Sequence, residues 1–129
     1  MYGFHVTLDT SVADAIDRVT QALATEGFGV LTQIDVAGTL KKKLDLDRRP
    51  YHILGACNPQ LASQALEADP DIGLLLPCNV VVREEANGQV TIGFMDPVAV
   101  LGLVDQDGVE GLATEVRGRL ERVRDSLQA

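Results

Sequence analysis

Residues 51–82, YHILGACNPQLASQALEADPDIGLLLPCNVVV, hold both cysteines, Cys57 and Cys78, each followed by an asparagine, and three of the five prolines. Pro50 cannot continue a helix, so the apolar run after it reads as a strand over residues 51–57. Asn58-Pro59 is a local start signal. Asparagine caps a helix well, and proline at the first helical position gives up no bonded donor. The spacing predicts a helix over residues 59–68 that buries Leu61, Ala62, Ala65 and Leu66, until Asp69-Pro70 breaks it. A further strand opens at Cys78. A short helix between two strands suits a parallel crossover. On that reading the cysteines lie at opposite ends of their strands, roughly 20 Å apart. A disulfide needs Cα atoms within about 7 Å.

Upstream, residues 3–9 alternate apolar and polar side chains with the period of a half-buried strand. Ser11 caps a helix, with Asp14 as the acidic partner of a capping box, and Gly27 ends it in a left-handed conformation. Val12, Ile16, Val19 and Leu23 form its apolar stripe. A second strand over residues 28–36 follows, then a helical piece over residues 37–47 with Leu40 and Leu44 beside Lys41, Lys42 and Lys43. Arg48 and Arg49 extend that basic patch. Downstream, Asn87-Gly88 predicts a two-residue hairpin loop. That loop pairs Ala86 with Gln89 and sets Val80 opposite Met95 and Asn79 opposite Asp96. Asp96-Pro97 repeats the cap-and-proline device before residues 98–104, which are apolar all round and need a cover. The last helix, over residues 109–127, carries Leu112, Val116, Leu120, Val123 and Leu127 on one stripe.

Residues 1–129 therefore make a single domain of α+β class: two layers, with about five strands in a mixed sheet and three main helices largely on one face. Apolar residues at 46% and charged residues at 23% suit an ordinary packed globule. A net charge of −8 argues against non-specific binding to nucleic acid or anionic membrane, both of which need a cationic surface. Aromatic content of 4%, without tryptophan, gives no base-stacking platform. The N-terminal MYGFHVTLD shows no signal-peptide pattern and no apolar run approaches a membrane span, so a cytoplasmic location with reduced thiols is expected.

Several stretches together resemble one family. They are GFGVLTQIDV, then KKKL, then Y-x-I-L-G-A-C-N-P, then IGLLLPCNVVV, and finally MDP. Over essentially the whole chain these are similar to the domain-of-unknown-function 302 family, also called TT1751-like. The resemblance implies a small α+β protein, dimeric in some members, with no established biochemical role. It carries over Lys43, Tyr51, Gly55, Cys57, Asn58, Pro59, Pro77, Cys78, Asn79, Asp96 and Pro97. Where the family often has glycine after its Lys-Leu pair, this chain has Asp45.

Candidate chemistry centres on Cys57, just outside the positive end of the Pro59 helix, where a thiolate is favoured if a cation such as Lys43 lies near. The competing reading is a small buried apolar residue. Zinc wants four nitrogen or sulfur ligands. Two cysteines and two histidines without a close-spaced pair predict no metal site, and no cofactor motif is present. Three functions fit. The first is a homodimeric module binding a small polar or anionic ligand near Cys57-Asn58-Pro59, with Lys43, Asn79 and Asp96 contributing. The second is a thiol-dependent enzyme or sulfur carrier using Cys57. The third is an interaction module using residues 98–104.

Overall fold

The computed structural model describes residues 1–128. Five strands, β1 (Gly3–Leu8), β2 (Gly29–Asp35), β3 (Tyr51–Cys57), β4 (Cys78–Glu84) and β5 (Val90–Met95), form one sheet in the order β1-β5-β4-β3-β2. The helices are α1 (Val12–Thr25), α2 (Val36–Leu44), α3 (Pro59–Ala68), the five-residue α4 (Pro97–Leu101) and α5 (Val109–Gln128). The two-layer α+β arrangement is the expected one. The sheet, however, is antiparallel at every pairing rather than mixed. The reason lies in α3: it packs on α5 and on the 3₁₀ turn Pro70–Leu75 instead of crossing the sheet. The chain thus re-enters at the end where β3 left off. Ala56 pairs with Cys78, and the cysteines are neighbours rather than residues at opposite ends.

Each helix starts and stops where its side chains allow. Ser11 Oγ accepts the Asp14 N–H, while the Asp14 carboxylate accepts the Thr10 hydroxyl at 2.6 Å. At the other end of α1, Gly27 sits at φ +84°, and the Phe28 N–H reaches back to the Leu23 carbonyl. That bond pattern needs a left-handed residue, which glycine adopts without a Cβ penalty. Asp45 does the same work at the end of α2 with φ +52°. A left-handed non-glycine costs on the order of 1 kcal/mol. Here the Lys41 ammonium lies 2.9 Å from the Asp45 carboxylate. The departure from the family's glycine therefore keeps the turn.

The hairpin differs from its expected form. Glu85 and Gln89 close a three-residue loop, Ala86-Asn87-Gly88, with Gly88 at φ +85°. A type I turn followed by a left-handed glycine matches strand twist as well as a two-residue loop does. The register moves by one residue, so Val80 faces Phe94 and not Met95. Val80, Val82 and Cys78 still share the buried face.

That face carries the main core: Val6, Leu54, Val80, Ile92 and Phe94 from the sheet, Val19 and Leu23 from α1, and Leu120 and Val123 from α5. Phe4 stacks on Phe94 with ring centroids 5.5 Å apart. A smaller cluster gathers Ala65, Ile72, Leu101, Val109 and Ala113 beyond the strand ends. Leu101 supplies the cover expected for residues 98–104 from inside the chain, while Leu103 stays 79% exposed. No helix among the described residues is long and apolar enough to cross a membrane.

Candidate functional site

The two hydrophobic clusters do not fuse. Between them, at the end of the sheet where β3 and β5 finish and β4 begins, lies a cavity of about 360 Å³. Its walls are almost wholly apolar. Phe28 and Ala56 come from the main cluster; Ala65 and Leu101 come from the smaller one. Small residues on α3, Ala62 and Ala65, hold it open, and Leu31 and Leu66, both exposed, stand at its rim. Leu31 occupies an irregularity in the β2–β3 ladder between Val30 and Thr32, which removes it from regular pairing.

Both cysteines border this cavity. They are free thiols, Cys78 buried and Cys57 half-buried. Burial, with Cys57 close by as the second cause, pushes the Cys78 thiol up to about 11. A neutral thiol is the form an apolar wall tolerates. Adjacent positions on paired strands place their Cα atoms roughly 6 Å apart. Strand alternation sends their side chains off opposite faces, and they meet the same cavity only because it wraps the sheet's end.

Asn58 is 7% exposed and fully engaged. Its Oδ1 accepts the Leu61 N–H at 3.2 Å, capping α3 as expected. Its Nδ2 also donates to the Glu26 carbonyl at 3.3 Å. Arg119 Nη1 donates to the same oxygen at 3.0 Å. Asn58 thus ties the start of α3 to the end of α1 and, through Arg119, to α5. Sequence reading found the first bond and missed the second, since nothing local links Glu26 with Asn58 across 32 positions. Arg122 donates to the Glu26 carboxylate at 2.8 Å and holds it below the usual carboxylate range.

The other expected site residues are dispersed. Lys43 lies exposed in α2, at the end of the sheet where β3 begins. Lys43 does not border the cavity that Cys57 lines. Asn79 pairs with Gly55 and points off the opposite face. There it borders a second hollow with His5, Tyr51, Val81 and Gly93. Asp96 is buried, accepts the Val98 N–H at 2.9 Å to cap α4, and pairs with Arg117 Nη1 at 3.2 Å. It does not border the cavity, whereas Met95 beside it does. Among the described residues no three of His, Cys, Asp or Glu converge as a metal site.

Comparison with known proteins fits this architecture. The crystal structure of the uncharacterized conserved protein DUF302 from Bacillus stearothermophilus superposes with a TM-score of 0.89. The two chains are 35% identical, and the match covers 97% of each. No functionally curated protein matches the chain. The family model described as domain of unknown function DUF302 matches residues 4–127. By sequence over nearly its full length, and by fold, this chain belongs to the DUF302 family.

Proposed function

We propose that the protein is a small-molecule-binding module, its ligand seated beside the Cys57-Asn58-Pro59 helix start. The supporting observation is the cavity between the two hydrophobic clusters. Its volume falls at the lower end of the range of about 300–1,000 Å³ typical of ligand pockets. Wetted apolar wall is costly, about 25 cal/mol per Å². Larger side chains at Ala62 and Ala65 would remove that cost, so their absence points to an occupant. The wall favours an apolar ligand body over the polar or anionic one expected from the helix start. The Leu61 N–H at that start is already bonded to Asn58.

Filling the cavity separates ligand binding from idle space. Ala62→Phe is expected to leave the fold intact and raise stability by about 1 kcal/mol, as cavity filling commonly does. Binding of an apolar fluorescent probe such as 1-anilinonaphthalene-8-sulfonate should fall at least about tenfold, a 1.4 kcal/mol loss. Unchanged probe binding in a folded Ala62→Phe protein would sink the reading.

The assembly fitting this reading is a homodimer that covers Val98 and Leu103. Both are exposed on and just after α4, which packs against the 3₁₀ turn carrying exposed Leu74. Sedimentation equilibrium at micromolar concentration is expected to give the dimer mass, with residues 98–104 resistant to protease. A stable monomer cleaved in that segment would remove the dimer. A thiol-dependent role for Cys57 is second choice: the thiol borders the cavity, but Lys43 is absent from its lining.

A further inference from the structure

The lining of the cavity passes along the ends of four neighbouring strands, from Leu31 on β2 through Ala56 on β3 and Cys78 on β4 to Met95 on β5. Three strand spacings make that run roughly 14 Å long. A volume of about 360 Å³ drawn out over such a run is a narrow slot. Its exposed lining is Leu31 and Thr32, on the edge strand, and Leu66 on α3. Every other lining residue is buried or half-buried, so the slot has its mouth at the β2 edge and deepens toward Leu101 and Val116. Inside, no polar side chain is free to meet a ligand. Asn58, the one amide in the lining, gives its oxygen to the Leu61 N–H and its nitrogen to the Glu26 carbonyl. A polar group carried deep into the slot would go unpaired, which is unfavourable. The mouth is different in sign rather than in polarity alone. No lysine or arginine lines the cavity or occurs anywhere in residues 50–82, and Glu67 directly follows Leu66. Arg119, bonded to the same Glu26 carbonyl as Asn58, is paired with Glu115.

We propose that the ligand is a single-chain amphiphile, its alkyl tail lying along the slot and its head, neutral or cationic, left in water at the mouth. This rests on the small-molecule reading of the cavity and adds the ligand's class. A flexible chain can follow a narrow run past four strand ends, whereas a compact ring system fills one part and leaves the rest of the apolar wall wetted. Each methylene withdrawn from water adds to affinity, so binding grows with chain length until the slot is full. The head contributes little, because nothing inside the cavity pairs with it. An anionic head is the least suited of the three charge types, since the mouth offers Glu67 and no cation. Binding is non-covalent, and Cys57 and Cys78 serve only as wall.

The test is heteronuclear NMR titration of the reduced full chain with n-butanol, n-hexanol and n-octanol. Each added pair of methylenes should tighten binding about fifteenfold. The amides that shift should include those of Leu31, Ala56 and Ala65, and the Ala62→Phe protein should lose the octanol response. Octylamine is expected to bind as well as octanol, and octanoate several-fold more weakly. Adamantanol, a compact cage with more carbons than octanol, should bind less tightly than octanol. Affinity that does not rise with chain length would overturn the proposal, as would adamantanol matching octanol. Octanoate binding more tightly than octylamine would overturn the assignment of the head. The anilinonaphthalene probe keeps the two readings apart. If Ala62→Phe abolishes probe binding while the alcohol series is flat, the cavity binds small molecules but not alkyl chains; if neither probe nor octanol binds wild type, both readings fall.

Discussion

Phe94→Ala is expected to lower stability by about 3–5 kcal/mol, and Met95→Ala by only about 1. Phe94 is fully buried at the centre of the sheet's inner face, opposite Val80 on β4 and Phe4 on β1. Truncation there loses the transfer energy of a ring, the Phe4 stack, and the packing around the resulting void. Met95 is one residue on, half-buried at the strand's end, and its neighbours can close over a smaller loss. The ordering reads the hairpin register directly. A two-residue loop at Asn87-Gly88 would exchange the two positions and make Met95 the core residue. Urea unfolding of both variants, with m unchanged, measures it. A larger loss for Met95→Ala would refute the three-residue loop.

Asn58→Ala should cost about 2–3 kcal/mol, more than a helix cap alone, which is worth about 1. The second bond accounts for the excess. Removing the carboxamide strips the Leu61 N–H of its partner and leaves the Glu26 carbonyl to Arg119 alone. These groups are poorly hydrated, and an orphaned buried polar group costs about 1–3 kcal/mol. Asn58→Asp keeps the acceptor and loses the donor, so it should fall about midway, near 1 kcal/mol. Chemical denaturation of the three proteins decides the matter. If the aspartate and alanine variants are equally unstable, Asn58 is not acting as a cap. If the aspartate variant equals wild type, the link to α1 carries no energy.

The local elements were readable because their signals are short-range. Asn58-Pro59 and Asp96-Pro97 start helices through atoms two or three residues away, and Gly27 stops one by its own φ. The stripe of α5 and the inner face of β4 follow from periods of 3.6 and 2, which depend only on side chains turning with the backbone. The family was legible for a related reason, since its motifs sit at these same caps and turns. Strand direction was not. A strand, a helix and a strand give the same local pattern whether the helix crosses the sheet or packs against another helix. Only the fit of α3 on α5 brought Cys57 and Cys78 to one end. The hairpin register turned on whether one glycine, Gly88, occupies the loop's last position, a choice settled by how β4 and β5 pack against β1 and β3. The cavity and the Glu26–Asn58–Arg119 junction exist only where distant segments meet. Asn79, next to Cys78 in sequence, was carried to the other face, because the pleat of the sheet separates neighbours in the chain.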